Sequence, residues 1–174
     1  MKAIANKLLI GFLLLISRLP FAILWLISDV LYYLFYRLIK YRVKVVRKNL
    51  SLSFPDKSKE ELLSLEKKFY KYLSDLVVET VKGFTISRKE LEKRIDFQCG
   101  NIYDELHENR KSAIVVMGHS GNWEWVCRAA PIFMKNRIVV AYKPLSNPHF
   151  EKLMLRARTE LGVIQIPMAQ IGKF

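Results

Sequence analysis

One stretch constrains the fold more than any other, the apolar run of residues 113–117, which leads directly into Gly118 and His119. The run is short, rich in β-branched residues and free of polar alternation. This pattern is typical of a strand buried on both faces in a parallel sheet. A tight Ser120-Gly121 turn follows, and then a helical segment. Because open α/β sheets place ligands and catalytic groups at the carboxyl ends of their strands, we expect His119 to lie in a site.

A carboxylate follows this histidine on the other side of the turn. Asn122 is predicted to cap the next helix, and Glu124 lies in its first turn, close enough to reach back towards His119. Histidine can take a proton from a hydroxyl group, and a carboxylate on its far ring nitrogen fixes the tautomer and stabilises the imidazolium. The pattern indicates acyl transfer to a substrate hydroxyl. The His-x4-Glu spacing also recurs by chance, so on spacing alone a structural histidine at a strand end stays an alternative.

The segments after this turn alternate between helix and strand. Asn147 is a good N-cap with Pro148 at the first helical position, and Gly162 ends that helix. The patterns predict helices over 122–134 and 147–161 and strands over 137–142 and 163–166. This alternation is the signature of a parallel sheet with right-handed crossovers. The predicted fold class is therefore α/β, a mainly parallel sheet flanked by helices.

Two Ser-x-x-Glu capping boxes predict helix starts before the turn. Ser58 with Glu61 begins a long amphipathic helix that ends near Gly83, and Ser87 with Glu90 begins a short one. The short helix is expected to run to about residue 94, followed by a strand over 95–98 and a helix over 101–110.

The first 40 residues are mostly apolar, and Arg18, Pro20 and Asp29 interrupt them. Residues 8–17 alone would span about 15 Å as a helix, too little to cross a bilayer. A single span over about residues 8–28 would place Arg18 and Pro20 inside the membrane, at a cost of a few kcal/mol. A helical hairpin or an amphipathic helix in the interface avoids that cost. We predict a membrane anchor of one of these kinds over residues 1–40, with a buried helix pair as the alternative.

The chain of 174 residues carries 29 Lys+Arg against 16 Asp+Glu, a net charge of +13. Such a balance implies an anionic partner. A basic cluster follows the apolar segment directly: Arg37, Lys40, Arg42, Lys44, Arg47 and Lys48. The positive-inside rule places this side in the cytoplasm, facing anionic headgroups. A solvated helix face is the plain alternative, and nucleic-acid binding lacks a recognisable module.

The stretch Gly118-His119-Ser120-Gly121-Asn122-Trp123-Glu124 resembles the His-x4-Asp/Glu box of the lysophospholipid acyltransferase superfamily. Within that superfamily the chain looks most like the lipid A biosynthesis (lauroyl/myristoyl) acyltransferases. Three further stretches carry this narrower resemblance and, with the box, span nearly the whole chain in the family's order. They are Tyr41 to Pro55 with Arg47-Lys48-Asn49-Leu50, Tyr142-Lys143-Pro144-Leu145-Ser146-Asn147-Pro148, and Arg158 with Leu161-Gly162.

The resemblance implies an O-acyltransferase that uses acyl carrier protein, an acidic donor, and a lipid A precursor as the glycolipid acceptor. It implies the cytoplasmic face of the inner membrane, a single N-terminal span and a chain longer than this one. We therefore expect domains at 1–40 (anchor) and 41–174 (an incomplete acyltransferase domain, truncated at the C-terminus). His119 and Glu124 would be catalytic, and Arg158 would bind phosphate or stabilise developing negative charge, with Arg156 on a different helix face as the alternative.

Other substrate-binding candidates come from position. Lys143 ends the neighbouring strand and would face the same crevice as His119, and a turn at a helix start, here Gly121 and Asn122, can offer backbone N–H groups to an oxyanion. The two cysteines, Cys99 and Cys127, show neither a disulfide framework nor metal-ligand spacing, and no metal or organic cofactor is expected. Two alternatives stay open: acylation of a glycerophospholipid or aminolipid, and a non-catalytic protein that binds the membrane surface.

Overall fold

A computed structural model describes residues 2–98 and 101–173 of the chain. The chain divides into two compact units. One combines the residues up to Arg18 with those from Lys82 onward, and the other is Leu19–Val81. The predicted anchor over residues 1–40 contributes to both units, so the domain boundary at residue 40 stays a prediction.

The helices of the described residues, in chain order, are α1 (Lys2–Ser17), α2 (Phe21–Tyr33), α3 (Val43–Ser53), α4 (Lys59–Lys82), α5 (Arg88–Arg94), α6 (Ile102–Glu108), α7 (Trp123–Phe133) and α8 (Pro148–Thr159). The strands are β1 (Val139–Tyr142) and β2 (Ile164–Pro167). A π-helical segment, Leu34–Leu38, continues α2, and a 3₁₀ segment, Met168–Lys173, ends the described chain.

The unit Leu19–Val81 is helical, and α4 is its longest element. The predicted capping box at its start is confirmed: Glu61 N–H donates to Ser58 Oγ at 3.2 Å, and Ser58 N–H donates to Glu61 Oε2 at 2.9 Å. Side chains four residues apart, from Glu66 and Tyr70 to Val78, form the buried face of α4. The stretch Phe21–Leu38 is long and apolar enough to cross a membrane, judged by length and composition.

The other unit has the parallel pair that was predicted. Val139 of β1 lies opposite Ile164 of β2, and α8 forms the crossover between the strands. Asn147 Oδ1 caps α8 by accepting from the backbone N–H groups of the next two non-proline residues, at 3.0 and 3.4 Å. Gly162 ends the connection with a positive φ of 100°, which favours glycine. The α/β fold class is confirmed.

The predicted strand over residues 113–117 is wrong, since this run has no regular secondary structure and no strand partner in the described residues. Its larger side chains are exposed to different extents, from 42 % for Met117 to 94 % for Ile114. An apolar β-branched run only favours a pleated surface, and it becomes a strand when another strand pairs with its backbone. The predicted strand over 95–98 is wrong for the same reason.

Two helix predictions need smaller corrections. At the start of α5, Ser87 Oγ accepts from Glu90 N–H as expected, but the Glu90 carboxylate pairs with Arg94 instead of reaching back to Ser87. A salt bridge one turn ahead thus competes for the same carboxylate. The helix α6 begins and ends inside the predicted range of residues 101–110.

Candidate active site

The candidate site begins at the turn before α7. Gly121 has φ +64°, a left-handed conformation that suits glycine, and this lets the chain reverse into the helix. Asn122 Oδ1 then accepts from Trp125 N–H at 3.3 Å and caps α7, as predicted. The cap places Glu124 in the first turn of α7, while His119 lies on the exposed turn itself.

Glu124 binds Arg158 of α8. Arg158 Nε donates to Glu124 Oε2 at 2.9 Å, and Arg158 Nη2 donates to Glu124 Oε1. This two-pronged pair joins α7 to α8, and both side chains are half-buried. Hydrogen bonding to Glu124 is the main reason that the pKa of the Arg158 guanidinium lies above its usual value.

His119 does not share a hydrogen bond with Glu124 in the described part of the chain. Its ring instead meets the ring of Trp123 edge-on, with centroids 4.9 Å apart and an interplanar angle of 73°. The catalytic roles of His119 and Glu124 therefore stay predictions, and the structure adds Arg158 as the partner that holds the carboxylate.

A cavity of about 850 Å³ brings the predicted side chains together. His119, Glu124, Lys143 and Arg158 all line it, whereas Gly121 and Asn122 do not. Much of the remaining wall is apolar, with contributions from β1 and from the run of residues 113–117 before the turn. A mostly apolar cavity with a few convergent polar groups is the usual form of a site for a small molecule or lipid chain.

Tyr142 and Cys127 are two of the lining residues that were not predicted from the sequence as part of the site. The Arg158 guanidinium lies over the Tyr142 ring, 6.0 Å from its centroid. Cys127 lies one helical turn after Glu124, and its thiol is 3.9 Å from the Met117 sulfur. The i, i+3 spacing from Glu124 was the signal that places Cys127 on the same helix face. Burial first, and then the charge of Glu124, raise the pKa of this thiol.

The polar side chains of the site are groups that form hydrogen bonds and transfer protons. Among residues 2–98 and 101–173, no group of three His, Cys, Asp or Glu side chains could hold a metal ion. An imidazole, a carboxylate held by a guanidinium and a nearby lysine are suited to acid–base chemistry on an anionic or polar substrate.

The model of the bacterial lipid A biosynthesis acyltransferase family matches residues 2–174, so the chain belongs to that family. No curated protein and no solved structure matches the chain.

Proposed function

We propose that the protein transfers a fatty acyl chain from acyl carrier protein to a hydroxyl group of a lipid A precursor. Membership of the family supports acyl transfer in lipid A biosynthesis. The observation that carries the residue assignment is the shared cavity, which His119 and Glu124 line together with Lys143 and Arg158.

The proposed step uses His119 as the general base. Its unprotonated ring nitrogen takes the proton of the acceptor hydroxyl as the oxygen attacks the thioester carbon of the donor. The new C–O ester bond forms, the C–S bond breaks, and the imidazolium returns the proton to the leaving thiolate. No protein nucleophile is required, because the substrate oxygen itself forms the new bond.

Glu124 would orient the imidazole while Arg158 orients Glu124. An ionised carboxylate offers about four lone-pair positions, and the Arg158 pair uses two of them. The same carboxylate can therefore accept from an N–H of His119 once the ring turns away from Trp123. This arrangement retains the predicted His119–Glu124 pair and gives Arg158 a positioning role.

The remaining candidates would bind substrate. Lys143 is exposed at the cavity and suits a phosphate of the glycolipid, since an ammonium is a compact donor with three hydrogens. Gly121 and Asn122 lie beside the cavity and not in its wall, so the proposed contact of their backbone N–H groups with the oxyanion rests on their place at the start of α7. Neither a metal nor an organic cofactor takes part in this scheme.

The charge of the chain supports the choice of partners and place. A net charge of +13 suits an acidic acyl carrier protein as donor and anionic lipid as the surface. The basic residues after Phe21–Leu38 favour the cytoplasmic face of the inner membrane, because anionic headgroups of that leaflet attract Lys and Arg.

The test is acyl transfer from acyl carrier protein thioester to a lipid A precursor in detergent micelles. His119→Ala should lower the rate by about 10²-fold or more, as loss of a general base does. His107→Ala is the matched control, because His107 is an exposed histidine of α6 that does not line the cavity, and it should leave the rate unchanged. Full activity of His119→Ala would overturn the assignment of the base.

A further inference from the structure

The helix α2 has two unlike faces within the unit Leu19–Val81. Leu24 and Ser28 are fully buried on one face. Ile23, Leu26, Val30 and Tyr33 lie within about 80° of arc on the other face, at the 3.6-residue period of an α-helix. These four side chains are exposed, with Leu26 at 66 % and Val30 at 67 %. An apolar helical stripe of this kind is a surface that another apolar phase should cover.

The buried side of α2 is fixed to α4 by polar contacts. Ser28 Oγ donates to Asp75 Oδ1 at 2.5 Å, and Lys71 Nζ lies 2.7 Å from Asp29 Oδ1 and 2.9 Å from Asp75 Oδ1. In the π-helical segment that continues α2, the ring of Tyr36 stacks on that of Tyr70, with centroids 4.9 Å apart. Residue numbers rise along α2 as they fall along α4, so the two helices run antiparallel side by side.

These contacts favour an α2 that lies on the membrane surface over an α2 that crosses the membrane. Asp29 is at the middle of the apolar stretch Phe21–Leu38. If that stretch crossed the bilayer, α4 would be drawn in beside it, and Lys71 and Asp75 would lie near the midplane. Each charged group there costs about 2.5–3.5 kcal/mol on insertion scales. The Lys71–Asp29 pair is partly exposed, so hydrocarbon would replace its water.

We propose that α2 lies in the plane of the membrane surface, with the Ile23, Leu26, Val30 and Tyr33 face buried at the acyl-chain boundary and α4 on the aqueous side. In this pose the Lys71–Asp29–Asp75 contacts stay at headgroup level. The exposed cations Arg37, Lys40, Arg42 and Lys44 follow α2 directly and would meet anionic headgroups, at about 1 kcal/mol per residue. The occupant of the apolar face is thus an anionic lipid surface. The inference is independent of the acyltransferase chemistry.

The first experiment measures the side of the membrane on which each end of the stretch lies. Pro20→Cys and Ile39→Cys flank Phe21–Leu38, in a full-length background in which Cys99 and Cys127 are serine. An impermeant maleimide should label both positions in inverted inner-membrane vesicles and neither in intact spheroplasts. Labelling of the two positions from opposite sides would overturn the in-plane pose and establish a span.

The second experiment tests the lipid as occupant. Leu26→Asp with Val30→Asp should lower partition onto vesicles of phosphatidylcholine with phosphatidylglycerol by about tenfold or more, because two apolar side chains lose their burial. Ser64→Asp, an exposed α4 position, adds charge away from this face and should change partition less than about twofold. Amide hydrogen exchange of α4 checks that the variants stay folded. Unchanged vesicle partition, together with loss of a lipid-free dimer, would show that a second copy covers the face and overturn the proposal.

Discussion

Two arginine–glutamate pairs of the same geometry occur in the two units of the molecule. In the helical unit, Arg47 of α3 donates through Nε and Nη2 to the two carboxylate oxygens of Glu66 in α4, at 2.8 and 3.1 Å. In the α/β unit, Arg158 of α8 holds Glu124 of α7 with the same two nitrogens. Each pair ties two helices together, and in each the hydrogen bond raises the pKa of the arginine.

The surroundings of the two pairs differ. The Arg47 side chain is 62 % exposed and Glu66 only 3 %, so one partner lies in water and the other in the helix contact. Glu124 and Arg158 are both half-buried, and they share a cavity with His119. Paired charge alone therefore does not mark a functional site. The distinguishing features are a cavity and a neighbouring group that can transfer a proton.

The sharpest test of this difference compares the two carboxylates. Glu124→Gln removes the charge that would stabilise the imidazolium of His119, and we expect acyl transfer to fall by about 10²-fold or more. Glu66→Gln removes the same charge from the same kind of pair outside the cavity, and we expect transfer to change less than about threefold. The measurement is initial rate with acyl carrier protein thioester in one detergent.

Equal losses in the two variants would break the comparison, because they would point to folding and not to chemistry. Circular dichroism of both proteins at the assay temperature provides the control. An unchanged rate of acyl transfer in Glu124→Gln would show that Glu124 has only a structural role.

A second, smaller effect concerns local stability, and it should be seen in Glu66→Gln and not in Glu124→Gln. Glu66→Gln weakens a charged hydrogen-bonded pair between α3 and α4, which we expect to cost about 1–2 kcal/mol of local stability. Amide hydrogen exchange in α3 and α4 should then be about 5–30-fold faster. In the Glu124→Gln protein, exchange in these two helices should match wild type; faster exchange there would show that the pairs are energetically linked.

The parts of the fold that were predicted from sequence depend on contacts within a few residues. The caps at Ser58, Asn122 and Asn147 each bind a backbone N–H two or three residues ahead, so residue type and spacing suffice. The parallel pairing of β1 and β2 followed from the strand–helix–strand alternation, because that connection has few alternatives.

The parts that could not be predicted depend on distant partners. The run over residues 113–117 has strand composition, but composition carries no information about which strand pairs with it. Glu124 and Arg158 were both candidates for the site, yet they are 34 residues apart. No local sequence pattern indicates that Arg158 binds the Glu124 carboxylate. The pairing of His119 with Glu124, five residues apart, stays a prediction, because the ion pair with Arg158 leaves part of the carboxylate's capacity to accept hydrogen bonds.

The smallest expected effect uses Cys127 as a reporter of the site pair. Burial, then the negative charge of Glu124, raise the pKa of this thiol, and the positive charge of Arg158 lowers it in part. The thiolate is the reactive form, so a raised pKa leaves less of it at a given pH. We expect alkylation of Cys127 to be slower than that of an exposed thiol between about pH 7 and 9.5, with its pH profile displaced upward.

The Arg47–Glu66 pair provides the control for this last measurement. Lys67→Cys places an exposed thiol beside Glu66, and its alkylation should follow the usual profile. Glu124→Gln removes one of the two charges near Cys127 and should move the Cys127 profile to lower pH. Because the folded-state pKa lies above the unfolded value, the thiol stabilises the folded state at low pH, and that contribution is lost as pH rises through the folded-state pKa. Peptide-resolved mass spectrometry measures the alkylation rate of each thiol separately. Identical pH profiles at Cys127 and at the Lys67→Cys position would show that the Glu124–Arg158 pair is as well hydrated as the Arg47–Glu66 pair.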